Sequence, residues 1–265
     1  MRELLFRGIL AVIGIAIAVS LYQILVVRDT YVHVDQVNDA ASIYAPRESQ
    51  SEPAPDKINA DTDLTGAWTV VEKNKDAAGN NPIIDAQQNI NGDIAAWLKI
   101  PGASIDYPVV YGEDNTFYLT HDIYKQKAVS GALFIDSRNH YGFIDFNTVI
   151  YGHNMKDGSM FGQLSSFTNP AFFQTNPKGQ LFSAEHIYTL EIFACLRIKQ
   201  DDKLIFGSFN GVNFDEYNEF VRANAINYRD IQLNGGDRNV ALSTCTSGGY
   251  SEYRVVVLAR LMPMG

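Results

Sequence analysis

The stretch that decides the fold lies near the C-terminus and covers Asn239–Leu261, with the sequence NVALSTCTSGGYSEYRVVVLARL. Two runs rich in apolar and β-branched residues, Asn239–Thr244 and Tyr253–Leu261, flank a polar segment that contains two glycines. Runs of this kind are typical of β-strands, and a segment rich in Gly and Ser between them is typical of a turn. The stretch therefore predicts an antiparallel hairpin and points to a mainly β fold.

Runs of the same kind recur upstream, punctuated by Gly, Pro, Asn and Asp. They are Ile105–Tyr111, Ala132–Ile135, Thr148–Tyr151, Gln180–Ser183 and Ile187–Ile198. Helical patterns interrupt them at Met160–Phe167, Pro170–Thr175 and Phe214–Ala225, and Asp93–Ile100 predicts a short amphipathic turn of helix. Seven or eight short strands at this spacing predict a barrel or a sandwich with helical insertions, not a parallel α/β sheet.

The N-terminus carries an uncharged, almost wholly apolar run, Gly8–Val27, preceded by Arg2 and Arg7. At about 1.5 Å per residue such a helix would span about 30 Å, the thickness of a hydrocarbon core. A cleaved signal peptide is the main alternative, but the run exceeds the usual ~7–15 residues and no small-residue cleavage site follows it directly. A buried core helix is less consistent with this length. We therefore expect a single-pass signal anchor with the folded domain outside.

The chain divides into three predicted regions. Residues 1–30 form a cytoplasmic stub and the anchor, residues 31–82 a juxtamembrane helix and polar linker, and residues 83–265 the folded domain. Ala45–Thr65 reads as linker because it is rich in Pro, Ser and acidic residues and nearly devoid of apolar ones. The net charge of −9, with no basic cluster, argues against nucleic acid as a partner.

The two cysteines have different surroundings. Cys195 sits within an apolar run that predicts a buried strand, whereas Cys245 ends a strand at a polar turn. One disulfide is an alternative in an exported chain, but a buried small side chain and an exposed thiol explain the two contexts more simply. Cys245 is therefore the candidate nucleophile.

A nucleophilic cysteine needs an imidazole close by. The five histidines are His33, His121, His140, His153 and His186. His33 is expected outside the folded domain, and His140 and His186 lie near predicted loops. His121 and His153 both follow apolar runs, and spacing does not choose between them. Neither the histidines nor the acidic residues show metal-ligand spacing, so we expect no metal and no cofactor.

The hairpin narrows the choice of arginine. In an antiparallel pairing Arg254 falls opposite Cys245, whereas Arg260 falls opposite Asn239. Six residues separate the two positions, about 20 Å at ~3.3 Å per residue. Arg254 can therefore reach the thiol, where its guanidinium would favour the thiolate or bind a developing oxyanion. A surface salt bridge, for example with Glu252, is the alternative role.

Four segments resemble the sortase family. The first is Leu242-Ser243-Thr244-Cys245, with Arg254 nine residues further on, and the second is Asn147–Met155, which contains Tyr-Gly-His-Asn-Met. The third is Trp97–Val109, and the fourth combines Gly131–Asp136 with Gly158–Phe161. The sequence around His153 and the long insertion before the strand that ends at Cys245 are most similar to those of class B sortases. The resemblance covers about Asn91–Met262.

The resemblance implies a β-barrel of about eight strands and a cysteine transpeptidase, classed with the cysteine peptidases. Cys245 would be the nucleophile, His153 the general acid and base, and Arg254 the group that stabilises the oxyanion or positions the substrate. Asn115 and Ser243 would line the substrate groove, and the Thr246 backbone N–H would face the oxyanion.

The resemblance also implies the partners and the location. The substrates would be exported proteins with a C-terminal sorting signal, Asn-Pro-x-Thr-Asn or Ser/Asn-Pro-x-Thr-Gly, cleaved after Thr through a thioacyl intermediate. The acceptor would be a peptidoglycan amine, from a precursor or a stem peptide, at the outer face of a Gram-positive cell membrane. Three alternatives remain: a sortase that polymerises pilins, a surface cysteine peptidase that only hydrolyses, and a non-catalytic envelope module.

Overall fold

A barrel of short strands forms the core of the computed structural model, which describes residues 2–46, 81–207, 209–245 and 252–264. The strands within these ranges are β1 (Ile94–Ile100), β2 (Ile105–Val110), β3 (Leu133–Ile135), β4 (Asn147–Gly152), β5 (Lys178–Ser183), β6 (Ile187–Lys199), β7 (Ala225–Tyr228), β8 (Asn239–Cys245) and β9 (Tyr253–Pro263).

The strand order closes the sheet on itself. Neighbours follow the order β5-β1-β2-β3-β4-β8-β9-β6-β7, and β6 also pairs with β5. Eight of the described strands therefore form a closed barrel, and β7 extends the sheet from β6. Most pairs are antiparallel, whereas β2 with β3 and β4 with β8 are parallel. The predicted barrel of about eight strands is confirmed.

Helices lie outside the barrel in the described ranges. They are α1 (Arg2–Ala41), α2 (Pro82–Asn89), α3 (Pro170–Thr175), α4 (Lys203–Phe206) and α5 (Phe214–Asn224), and a 3₁₀ segment covers Gly162–Thr168. Asn81 and Asn169 cap α2 and α3, because each side chain accepts two backbone N–H groups of the first turn. A proline follows each cap, where its missing N–H costs nothing.

The middle of strand β8 is apolar, and both of its faces are buried there. Val240 and Leu242 belong to the cluster of side chains that fills the barrel. Ala241 belongs to a second cluster on the outer surface, which includes Tyr217 and Val221 of α5. A strand covered on both faces has a continuous apolar run and no alternation, as in Val-Ala-Leu.

The segment 93–100 departs from its predicted helical turn. It forms β1, in which Trp97 pairs with Pro108 of β2 and with Phe182 of β5. The backbone groups of β1 are used in two strand pairings and nearly all its side chains are buried. Tertiary pairing outweighed the local helical pattern.

Helix α1 runs from the N-terminus to the domain. Val34 and Ala41 are buried, and His33 Nε2 lies 2.9 Å from Asp122 Oδ2. His33 therefore contacts the domain, contrary to the expectation that it lies outside. No helix within the described residues is both long enough and apolar enough to cross a bilayer, and the predicted transmembrane helix stays a prediction.

Candidate active site

A cavity of about 250 Å³ opens where β4 and β8 end. Its lining comes from the loop after β2, from β3, β4, β8 and β9, and from the connection after β6. The lining residues are Asn115, Leu119, Phe134, Tyr151, Gly152, His153, Gln200, Phe206, Ser243, Thr244 and Arg254. We call this space the site cavity. It brings together four of the six predicted site residues: Asn115, His153, Ser243 and Arg254.

The parallel pairing of β4 with β8 places His153 beside Cys245. Gly152 is opposite Thr244 in this pairing, and the next residues along the two strands are His153 and Cys245. Their backbones therefore lie at the same end of the barrel. The side chain of Cys245 and the whole of Thr246 fall outside the described part of the chain.

The hairpin register matches the prediction. Arg254 is opposite Cys245, and Arg260 is opposite Asn239. The Arg254 guanidinium donates to the Gln200 side chain and to the Tyr253 carbonyl oxygen. Arg260 instead donates to Glu191, with N···O distances of 3.0 and 2.6 Å. The strand pairing thus sets Arg254 at the site and Arg260 in a distant ion pair.

The structure separates the two histidines that spacing left open. His153 lines the site cavity, and its Nε2 lies 2.7 Å from the Leu119 carbonyl oxygen, so that Nε2–H donates to it. His121 stacks on Phe117 at a ring-centroid distance of 4.1 Å and is not among the residues lining the cavity. Geometry alone therefore favours His153 as the imidazole of the site.

Asn115 is held by a buried carboxylate behind the cavity. Its Nδ2 donates to Asp136 Oδ1 at 3.1 Å, and its Oδ1 accepts from the Ser137 backbone N–H at 2.8 Å. The Tyr151 hydroxyl also donates to Asp136, at 2.9 Å. Asn115 and Tyr151 thus share one fully buried anchor.

The charge of Asp136 is stabilised by its donors. Burial acts to raise the pKa of Asp136, but hydrogen bonds from Arg138, Asn115 and Tyr151 outweigh it, and the pKa lies below its ordinary value of 3.8. Arg138 forms two hydrogen bonds to this carboxylate, at 2.9 and 2.6 Å, and also donates to the Phe206 carbonyl oxygen. Through Arg138, the carboxylate of Asp136 therefore links the cavity wall to the connection after β6.

Two residues that line the cavity have buried hydroxyl groups without a hydrogen-bond partner within the described chain. They are Ser243 and Thr244, both of which are almost fully buried. A buried hydroxyl without a partner carries a cost of about 1–3 kcal/mol.

Cys195 is inert by comparison. It lies in β6, is fully buried and is free, without a disulfide. Burial raises the pKa of its thiol to about 12, so that very little thiolate forms near neutral pH. The disulfide alternative is thereby excluded, and the buried environment predicted for Cys195 is confirmed.

Sequence reasoning did not single out Leu119, Tyr151 or Gln200 at the site. Tyr151 lies two residues before His153, so the alternation of a strand was the signal that could have found it. Leu119 and Gln200 reach the cavity through folding of distant loops, and no local pattern marks them. Among the described residues, no cluster of three or more His, Cys, Asp and Glu side chains could hold a metal.

A family model of the sortase domain matches residues 98–262, more than half of the chain. The chain belongs to the sortase family of cysteine transpeptidases. Sortase B of Listeria monocytogenes is 37% identical over 177 residues, which cover 66% of this chain and 72% of that protein.

Solved structures point to the same class. Clostridium perfringens sortase B superposes with a TM-score of 0.61 at 36% identity, covering 68% of this chain and 99% of that one. A Streptococcus pyogenes class B sortase involved in pilus biogenesis has a TM-score of 0.62 at 31% identity, covering 67% and 96%. Within the family this protein is most similar to class B sortases.

Proposed function

We propose that this protein joins exported proteins to an envelope amine, with Cys245 as nucleophile, His153 as general acid and base, and Arg254 as the cation beside the reacting centre. The observation that carries the proposal is the double pairing of β8. The parallel neighbour β4 leads into His153, and the antiparallel neighbour β9 sets Arg254 opposite Cys245.

The reaction has two halves with one covalent intermediate. The Cys245 thiolate attacks the carbonyl carbon of the Thr in a sorting signal, and the oxyanion that forms is stabilised by Arg254 and the Thr246 backbone N–H. The imidazolium of His153 protonates the leaving amine as the C–N bond breaks, which leaves a thioacyl enzyme. His153 then takes a proton from the incoming amine, the new C–N bond forms and the thiolate departs.

The site cavity is the proposed binding place of the sorting signal. An extended peptide presents an N–H and a C=O at every residue, which suits a cavity whose lining includes the polar residues Asn115 and Ser243. The apolar wall contributed by Leu119, Phe134 and Phe206 suits the proline ring of an Asn-Pro-x-Thr-Asn or Ser/Asn-Pro-x-Thr-Gly signal.

A peptidoglycan amine, from a precursor or stem peptide, is the proposed acceptor. A lysine of a pilin is the second candidate, because one structural relative is a class B sortase involved in pilus biogenesis. Both acceptors are primary amines and use the same chemistry, so the choice rests on surfaces that receive the second substrate.

The proposed location is the outer face of the cell membrane, with residues 83–265 as the catalytic domain and the N-terminal segment 8–27 as the attachment. What supports attachment is the sequence of that segment and the exposure of its apolar side chains from Val12 to Leu25. The test is extraction of cell membranes with alkaline carbonate. Retention of the protein in the pellet is expected, and release with Ile13→Arg and Ile17→Arg; release of the wild type would overturn the attachment.

The transpeptidation test uses intact mass and product analysis. Wild type mixed with a sorting peptide should gain the mass of the acyl fragment, and Cys245→Ala should not. Addition of amines that mimic a stem peptide or a pilin lysine should convert the adduct to ligated product. Hydrolysis alone, with no ligation across the amines, would instead make the protein a cysteine peptidase, and turnover by Cys245→Ala would exclude Cys245 as nucleophile.

A further inference from the structure

The loop between β2 and β3 reaches the imidazole of His153 from the side. Leu119 lies in a 3₁₀ turn, Phe117–Leu119, and its carbonyl oxygen is 2.7 Å from His153 Nε2. A carbonyl oxygen only accepts hydrogen bonds, so the proton on Nε2 is fixed whether the ring is neutral or charged. In the neutral ring Nδ1 is therefore the unprotonated nitrogen.

The Leu119 carbonyl is held from both sides. The preceding residue, Tyr118, is buried, and its hydroxyl donates to Asp93 and accepts from Asn91, each at 2.7 Å. Its carbonyl oxygen accepts from the Ala132 N–H at 3.0 Å. The following residue, Thr120, accepts from the Ala128 N–H at 2.9 Å. The acceptor is thus part of a hydrogen-bonded loop and not a group on a mobile chain.

The backbone of Gly131 packs closely against the carbonyl groups of Tyr118 and Leu119. Its φ is +57°, and a Cβ there would clash with the Tyr118 carbonyl oxygen and lie 2.9 Å from the Leu119 carbonyl oxygen. The close approach leaves no room for a side chain, since real Cβ contacts are not this short. Any residue other than glycine must displace the backbone at Tyr118 and Leu119.

We propose that the main-chain carbonyl of Leu119, supported by Gly131, is the positioning group of His153: it fixes the ring as the Nε2–H tautomer and leaves Nδ1 to exchange protons with the reacting groups. The inference rests on the proposed function. In the first half-reaction the proton on Nδ1 moves to the leaving amine, and in the second Nδ1 accepts the proton of the incoming amine, while Nε2 keeps its proton throughout.

The first experiment is spectroscopic and needs no turnover. ¹⁵N NMR of histidine-labelled protein, assigned with His153→Gln, is recorded at a pH where the imidazole of His153 is neutral. The expected result is a proton on Nε2 and an unprotonated Nδ1. A proton on Nδ1 would overturn the proposal even if the protein proves to be an active transpeptidase, and a wild type without turnover would refute the proposed function while leaving this readout intact.

The second experiment compares Gly131→Ala with Gly142→Ala. Gly142 also has a positive φ, +90°, but the nearest atom to an added Cβ is Ile144 Cγ2 at 3.9 Å, so this control shares the backbone strain without the clash. Gly131→Ala should lower kcat for thioacyl formation about tenfold or more, with KM within about twofold, because a misplaced acid or base costs rate. Gly142→Ala should change neither by more than about twofold.

Folding is checked by thermal unfolding of both variants. A folded Gly131→Ala protein with the kcat of wild type would overturn the support role of Gly131. If Gly131→Ala does not fold, Tyr118→Phe replaces it, since this change removes the hydroxyl that anchors the same turn. Unchanged kcat and an unchanged tautomer in Tyr118→Phe would then stand against the proposal.

Discussion

Arg254 and Arg260 share a strand and a residue type but have different surroundings. Arg254 borders the site cavity opposite Cys245, whereas Arg260 is bound to Glu191 at the other end of the hairpin. They form a pair of arginines on one strand that lie at very different distances from the thiol. A charge acts on an oxyanion over a few ångströms, and six residues of strand exceed that range.

Replacing Arg254 by Ala should lower the rate of thioacyl formation about 100-fold, the cost typical of losing one donor to an oxyanion. Arg260→Ala should keep the rate within about twofold and reduce the free energy of unfolding by about 1 kcal/mol. The measurements are the pre-steady-state adduct formed by each variant and urea denaturation. Equal rates for the two variants would remove Arg254 from the reaction.

The lowered pKa of Asp136 predicts how the stability of the protein changes in acid. Its folded-state pKa lies below the ordinary value of 3.8, so the carboxylate contributes stability that is present above about pH 4 and lost as pH falls through the folded pKa. Asp136→Asn should lower the stability at neutral pH by about 2 kcal/mol and flatten its fall between about pH 4 and pH 2. Urea midpoints across this range provide the measurement, and a fall as steep as that of wild type would show that other carboxyls dominate.

The elements show what can and cannot be read from the sequence. Seven strands were predictable because each is a β-branched or apolar run bounded by turn residues, and the register of Cys245 with Arg254 follows from the symmetry of a hairpin. β1 was missed because its sequence Ala-Ala-Trp-Leu favours a helix locally. It forms a strand because β2 and β5 both pair with it. His153 needed the family resemblance, since parallel pairing of β4 with β8 joins segments about ninety residues apart and leaves no local pattern.

Helix α5 was predicted from its periodicity, and its role is to cover the outer face of β8. Tyr217 is fully buried there, packs on Phe146 at 5.0 Å between ring centroids, and accepts from Asn239 Nδ2 at 3.2 Å. Tyr217→Phe should cost about 1 kcal/mol in the free energy of unfolding, and Tyr217→Ala about 3–5 kcal/mol. Exposed Glu219 on the same helix is the control, and Glu219→Ala should change stability by less than about 0.5 kcal/mol.

At the scale of the whole molecule, α1 reaches the loop that carries Leu119. Asp122 Oδ2 lies 2.9 Å from His33 Nε2. Asp122 Oδ1 accepts hydrogen bonds from the backbone N–H groups of Tyr124 and Gln126. One carboxylate therefore joins the N-terminal helix to the loop after β2 and organises that loop internally.

These two roles of Asp122 predict different losses of stability for substitutions at His33 and at Asp122. His33→Ala removes one contact of a partly exposed ring and should cost about 0.5 kcal/mol, with little change in kcat. Asp122→Ala also removes the acceptor of two backbone donors, and should cost about 2–3 kcal/mol and increase hydrogen exchange across residues 117–132. Similar exchange in both variants would show that the loop does not depend on the carboxylate.

Closure of the barrel by β8 and β9 has a consequence for the order of folding and activation. Until these two strands insert between β4 and β6, the barrel has two open edges and no thiol beside His153. Completion of the cylinder and completion of the reactive centre are therefore one event. A chain in which β8 and β9 have not yet paired has neither, so acylation cannot begin before the barrel has closed.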